Sequence, residues 1–349
     1  FSLGGRQHEA TVGLQHASQD FRAVGHPASG TATPGNFYTW DGSFPQPTWG
    51  SERLNEAFTT EQRAVYGAAR LRLSDPLQLV LGARSTRWTS SGENSSGLYR
   101  FGHDVVTPYA GLLYDINDTY TAYASYTDIF NPQRNRDRFG RYLDPLEGKS
   151  LEAGLKAEFL NGRLNAGLAV FRIEQDNLAQ VDTGQLVPDT SPPQLAYYAA
   201  QGTRSKGYEL DLSGEVAPGW NLGLGWSQFS AKDAAGAPVN THMPRKLLKV
   251  FTSYRLPGDW SRLVLGGGVN WESANYTMAN NPLGVRERLE QKAYALVSLM
   301  ARYEVSPRTS LQLNIQNALD ETYYSQIGFY NQYAYGAPRS AMLTLKHEF

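Results

Sequence analysis

Apolar and polar residues alternate one by one along much of this chain, and no run of about 18 apolar residues interrupts them. Residues 208–216 place Tyr208, Leu210, Leu212 and Val216 on one side of an extended segment and Glu209, Asp211, Ser213 and Glu215 on the other. Residues 220–226 set Trp220, Leu222, Leu224 and Trp226 against Asn221, Gly223 and Gly225. Residues 263–271 oppose Leu263, Leu265, Val269 and Trp271 to Gly266, Gly268 and Asn270. The same period recurs at Leu311, Leu313 and Ile315, and again at Ala341, Leu343, Leu345 and Phe349. A period of two belongs to a strand with two unlike faces. In several of these strands Trp or Tyr tips the apolar side, as in the aromatic girdles of strands that cross a membrane. A single such strand also fits a soluble sandwich. Recurrence over several strands favours the membrane.

Composition agrees. The chain is rich in Gly (34), Tyr (21), Phe (14) and Trp (7), yet polar on average. That combination disfavours a helical membrane protein and suits a transmembrane β-barrel. Lys and Arg number 32 against 33 Asp and Glu, so no broad basic field points to a nucleic-acid partner. With no cysteine, a disulfide scaffold, a cysteine nucleophile and a Cys-ligated metal are excluded. At 349 residues without a compositional break, one large all-β domain over 1–349 is expected. The start, Phe1-Ser-Leu, lacks Met and any signal-peptide pattern, which suggests a cut through a larger protein.

Connections alternate between short and long. Short turns near 74–76, 116–118, 160–162, 217–219, 256–259 and 306–308 carry the Pro, Gly, Asn and Asp that tight turns need. Long loops are expected at roughly 25–57, 91–102, 131–148, 179–201, 233–244, 275–290 and 321–337. Strict alternation puts every tight turn on one rim and every long loop on the other, as in outer-membrane barrels. Fourteen antiparallel strands follow, starting near 6, 60, 77, 103, 119, 150, 163, 203, 219, 245, 261, 291, 308 and 338. The chain would be a monomer with both ends on the periplasmic side.

Catalytic chemistry finds little footing. The histidines His8, His16, His26, His103, His242 and His347 form no ligand spacing, and neither a GxSxG elbow nor a Walker-type loop occurs. Acid pairs such as Glu209 and Asp211 read as charged lumen wall. The chain is therefore read as no enzyme. Loop chemistry is richer. Phe37, Tyr38, Trp40, Phe44 and Trp49 crowd the first loop, and 131–141 (NPQRNRDRFGR) carries Arg134, Arg136, Arg138 and Arg141. Such residues dominate recognition sites, although arginines also pair with neighbouring acids. Parity offers a further set: with Leu77, Leu79 and Leu81 facing lipid, Arg84, Thr86 and Trp88 face the lumen near its outer mouth.

Segments 123–133 (YASYTDIFNPQ), 143–156 (LDPLEGKSLEAGLK), 161–177 (NGRLNAGLAVFRIEQDN) and 317–339 (NALDETYYSQIGFYNQYAYGAPR) resemble TonB-dependent ferric-siderophore receptors. The resemblance extends to the subgroup that takes up ferric pyoverdine and ferric coprogen or rhodotorulic acid. The terminal Phe349 resembles the barrel-assembly signal, although His347 stands where an aromatic is more usual. The resemblance implies a 22-stranded barrel, an N-terminal plug and a TonB-contacting segment. This chain would supply about fourteen of those strands and neither the plug nor that segment. It further implies a ferric siderophore bound at the outer mouth and imported with TonB-derived energy. By position, Trp88, Arg84, Tyr197, Tyr198, Tyr330 and Tyr333 would contact the chelate. The chelator fills the iron's coordination sphere, so no cofactor and no protein metal ligand are expected. Expected partners are the TonB complex, through the missing N-terminal part, and outer-membrane lipid and lipopolysaccharide. The alternative is a stand-alone 14-stranded passive channel, which requires its first and last strands to pair.

Overall fold

In the computed structural model, all residues are described except 31–35, 44, 95, 96, 191, 192, 201, 281, 282, 284, 330 and 331. One sheet of fourteen strands dominates. Its strands are β1 (Glu9–Gly25), β2 (Arg53–Arg72), β3 (Leu77–Asn94), β4 (Gly97–Asp115), β5 (Tyr120–Asn131), β6 (Leu146–Phe159) and β7 (Leu164–Asp176). They continue as β8 (Thr203–Ala217), β9 (Trp220–Lys232), β10 (Lys246–Arg255), β11 (Leu263–Glu272), β12 (Tyr294–Ser306), β13 (Thr309–Gln316) and β14 (Ser340–His347). Each pairs antiparallel with its neighbours in chain order, so the sheet is a simple meander. β1 and β14 are its two edges, and among the described residues they do not pair. The closure that a stand-alone channel requires is therefore not formed.

The alternation locates the fourteen strands, but two expectations need correction. β2 begins at 53 and β4 at 97, both earlier than the apolar pattern suggests. No long loop fills 91–102: β3 and β4 run on to Asn94 and Gly97. The physical reason is that these outer segments stand beyond the apolar stripe. There the exposed face carries Glu61, Arg63, Arg87 and Asp104 in place of apolar residues. Strict short/long alternation therefore fails at this one connection. Three other outer loops fold into hairpins of their own: Leu178–Leu186 with Leu195–Ala200, Asn275–Asn280 with Arg286–Gln291, and Tyr324–Phe329 with Gln332–Tyr335.

The two faces of the sheet differ in kind. One carries Val12, Leu14, Leu168, Val170, Leu210, Leu343 and Leu345, all exposed, with Val12 and Leu14 at 80%. The other carries polar and small residues such as Ser150, Glu152, Gly154, Asn165, Gly167, Glu209 and Asp211. Only Ala64, Leu143, Val187, Ala196, Ala231 and Ile327 are buried apolar residues among those described. A soluble sandwich needs a second sheet over its apolar face, and the described residues form none. An apolar face of this extent matches lipid. We call it the outward face and its opposite the inner face.

Glycines on the inner face make room for tyrosine rings. A Cβ at Gly82 would lie 2.3 Å from the Tyr109 ring, and one at Gly154 2.5 Å from that of Tyr123. The mid-strand run 266–268 serves close strand approach instead: a Cβ at Gly268 would lie 2.6 Å from the Val250 carbonyl oxygen.

Candidate functional site

The inner face at the long-loop rim gathers aromatic rings from four strands and one loop. Trp88 of β3 lies opposite His103 of β4, their rings stacked at 6.3 Å. Phe101 sits 5.3 Å from Trp88 and stacks on Tyr142 of the β5–β6 loop at 4.2 Å. Tyr99 follows at 6.2 Å from Phe101. On β2, Phe58 stacks against Phe21 of β1 at 4.9 Å and lies under the Arg134 guanidinium, 4.2 Å from its centroid. Strand parity explains the gathering. Positions 99, 101 and 103 of β4 share the face of Trp88, and registered pairing sets His103 opposite it, Phe101 opposite Ser90 and Tyr99 opposite Gly92.

The loop between β5 and β6 is held over these rings by its arginines. Arg134 Nη1 donates to Glu56 Oε1 at 2.7 Å and to the Tyr99 hydroxyl at 2.8 Å. Arg136 donates to Gln194 Oε1 at 3.1 Å. Arg138 makes a two-pronged contact with Asp182, both arms at 2.7 Å. Arg141 bridges Asp137 at 2.8 Å. Each of the four is thus engaged with a protein carboxylate or amide. At the loop base, Gln133 donates to the Asn177 carbonyl at 2.8 Å, and Asn177 donates to that of Pro145 at 3.0 Å.

Electrostatics favour neutral polar groups at the centre. Burial raises the Tyr142 phenol above its ordinary pKa, outweighing Arg136 and Arg134, so it stays a neutral hydroxyl. His103 lies beyond the apolar stripe, which on β4 ends at Val106. Burial lowers its pKa from the ordinary value, against a smaller opposite pull from Asp144, so it is neutral at pH 7. Its Nε2 and the Ser90 Oγ beneath Phe101 have no hydrogen-bond partner. The arrangement offers flat π surfaces, neutral donors and acceptors, and a cationic edge. It suits recognition of a planar, polar organic ligand.

The six residues singled out from sequence separate in space. Trp88 lies within the ring cluster. Arg84 shares its face two positions before Thr86, donating to Thr86 Oγ1 at 3.0 Å and to Gln15. Tyr197 is half-buried and its backbone N–H donates to the Arg136 carbonyl at 2.8 Å, beside the loop. Tyr198, next in the strand, is exposed on the other side of that hairpin. Tyr333 packs on Tyr324 at 4.3 Å in the last hairpin. Tyr330 lies outside the described residues. Sequence reading missed Glu56, Phe58, Tyr99, Phe101, His103 and Tyr142. For Tyr99 and Phe101 the signal existed, since 99, 101 and 103 alternate like Trp88, but 91–102 reads as loop and the strand there as starting only near 103.

Comparison with known proteins agrees with this architecture. The family model described as TonB dependent receptor-like, beta-barrel, matches residues 1–318. The chain is 37% identical over 354 residues to the Ferripyoverdine receptor of Pseudomonas aeruginosa, covering 100% of this chain and 43% of that protein. It is 39% identical over 367 residues to the Ferric-pyoverdine 358 receptor of Pseudomonas putida, again 100% of this chain and 43% of the relative. The crystal structure of the ferripyoverdine receptor of the P. aeruginosa outer membrane, bound to ferripyoverdine, superposes with a TM-score of 0.89. That match has 37% identity and covers 100% of this chain and 47% of the solved one. The chain thus spans less than half the length of these relatives. The family is one of receptors and transporters, not enzymes, and its barrels sit in the outer membrane of Gram-negative bacteria. With its meander of strands, its lipid-suited outward face and these matches, the chain belongs to the TonB-dependent receptor β-barrel family.

Proposed function

We propose that this barrel segment carries part of the binding site of a ferric-siderophore receptor, and that the ligand is a ferric pyoverdine-type chelate. The observation that carries this reading is the rim cluster of Trp88, Phe101, His103 and Tyr142, roofed by the arginine-braced loop. Aromatic planes would stack on the planar parts of the chelator, while Ser90 and His103 supply unpartnered polar atoms. Arg84, Tyr197, Tyr198, Tyr330 and Tyr333 are kept as further contacts, Arg84 deeper on the same wall and Tyr197, Tyr198 and Tyr333 on flanking hairpins. Iron arrives as cargo inside the chelate. Import would draw on the TonB complex through residues outside this chain, by a receptor acting as a monomer.

The test is a titration of detergent-solubilised receptor with radiolabelled ferric pyoverdine, read by the label retained with the receptor. Trp88→Ala and Tyr142→Ala are each expected to raise Kd about tenfold, the loss of one stacked ring. Heat-modifiable migration should stay at the wild-type position. Unchanged affinity in the double variant would sink this assignment. In cells, collapsing the proton-motive force should abolish uptake of radiolabelled ferric chelate and leave surface binding intact.

A further inference from the structure

Away from the ring cluster, two more polar atoms at the outer mouth lack a partner. Arg245 Nη1 and Asn275 Oδ1 are sealed from solvent, and neither makes a hydrogen bond. Both stand around β9–β11, whereas Trp88 and its neighbours belong to β3 and β4. Arg245 ends the outer loop before β10, and its carbonyl accepts the Phe229 N–H at 3.0 Å. Phe229 is opposite Gly207, two residues from Glu209, so it lies on the inner face. The Arg245 guanidinium lies 5.0 Å from the centroid of the Phe229 ring. Its Nη2 donates to the Val239 carbonyl, and its backbone N–H donates to Ser273 Oγ at 3.0 Å. Asn275 opens the next outer hairpin. That hairpin is tied to the same loop, because the Tyr276 N–H donates to the Thr241 carbonyl at 2.9 Å.

Arg245 differs from the other mouth arginines in having no carboxylate. Glu56, Asp182 and Asp137 neutralise Arg134, Arg138 and Arg141. Arg288, 3.9 Å over the Tyr276 ring, bridges Glu290 at 3.3 Å. Around Arg245 the acids are turned elsewhere. Glu272, on the inner face opposite Leu247, accepts from the Tyr294 hydroxyl at 3.0 Å. Asp233, in the same loop as Arg245, accepts the Ala237 N–H at 2.9 Å. Burial lowers the Arg245 pKa from its ordinary value against a smaller pull from Tyr276, and no carboxylate among the described residues offsets it. The guanidinium stays charged, because that ordinary value is so high. A charged donor shut away from water with no acceptor costs more than a neutral one. A guanidinium over a ring, one arm fixed and the other open, is suited to an incoming oxyanion.

We infer that Arg245 determines specificity among ferric chelates by recognising a carboxylate that the ligand carries outside the iron's coordination sphere. The inference rests on the siderophore reading and adds to it the charge of the ligand. The carboxylate supplies the acceptor missing at Nη1, entering as the β9–β10 loop and the Asn275 hairpin part. Two forms of one radiolabelled ferric pyoverdine, titrated into detergent-solubilised receptor, test it. One form has a free side-chain carboxylate, and in the other that group is converted to a carboxamide. Wild-type protein should bind the carboxylate form about tenfold more tightly, the effect of one hydrogen bond between charged groups. R245Q should bind the two forms alike, at the affinity wild-type protein has for the carboxamide. R87Q, which removes a cation from the outward face, should keep the wild-type preference. Equal binding of the two forms by wild-type protein overturns the inference, with a bound water then satisfying Nη1. An unchanged ratio in R245Q overturns it as well, even where both affinities fall, because a merely structural role would weaken the two forms together. Loss of the preference in R87Q also overturns it, in favour of the general field of the receptor. Wild-type protein that binds neither form refutes the receptor reading itself, an outcome distinct from equal binding.

Discussion

Asn317 holds an outer hairpin with one side chain. It is buried, adopts a φ of +47°, and its amide donates to the carbonyls of Glu321 and Ala337 at 2.9 and 3.2 Å. Its oxygen accepts the Glu321 N–H at 2.9 Å. Asparagine tolerates this backbone region, and alanine does so poorly. Asn317→Ala should therefore cost about 2–4 kcal/mol locally, from strain plus orphaned carbonyls. Amide hydrogen exchange should quicken in Tyr324–Phe329 and Gln332–Tyr335 and stay the same in β12. Unchanged exchange would mean that ring stacking alone, such as Tyr294 on Tyr323 at 4.6 Å, holds the hairpin. The motif beginning at Asn317 was legible in the sequence, but its bonding was not, because both carbonyl partners are set by the turn. Trp88 shows the opposite case. Parity alone placed it on the inner face, because a strand offers a side chain only two directions.

At the scale of elements, the β5–β6 loop is the part that sequence could not place. Its arginines suggested an anionic ligand or paired acids, and the acids prove to be distant in sequence: Glu56 for Arg134 and Asp182 for Arg138. No local pattern encodes a contact between residues so far apart. Glu56 and Arg134 are partly exposed, at 28% and 40%, so solvent screens their attraction. A double-mutant cycle with Glu56→Gln and Arg134→Gln should give a coupling of about 1 kcal/mol, read by proteolytic opening of the loop. A coupling near zero would leave the loop held by its Arg136 and Arg138 contacts and by Tyr142 on Phe101. Within the loop, burial of Asp137 would raise its pKa. Donation from the Arg141 backbone and guanidinium and from the Phe139 N–H outweighs it and holds the carboxyl below its ordinary 3.8. A depressed carboxylate contributes stability that is complete above the unfolded pKa and is lost as pH falls through the folded one. Protease resistance of the loop should thus be flat from neutral pH down to about 4 and decline only in stronger acid.

For the whole molecule, the organising fact is a sheet whose apolar side none of the described residues covers. The few buried apolar residues are scattered, so stability must come from backbone ladders, inner-face packing and the solvent around the outward face. This is why the alternation was so informative: lipid and lumen impose opposite demands on successive residues of each strand. It is also why alternation faded in the outer parts of β2, β3 and β4, where both faces meet water. Neighbouring residues at mid-strand make the sharpest test. Leu168 is exposed on the outward face of β7, between Leu155 and Leu210. Ala169 is on the inner face, between Gly154 and Glu209. A lysine at 168 would sit in hydrocarbon near the middle of the span and should cost about 2–4 kcal/mol. A lysine at 169 would meet Glu209 in an aqueous lumen and should cost little. Urea unfolding of the receptor in lipid vesicles should separate Leu168→Lys from Ala169→Lys by several-fold in folded fraction near the midpoint. Equal penalties would show that the exposed leucines do not face lipid, and the assignment of inner and outward faces would fall with them.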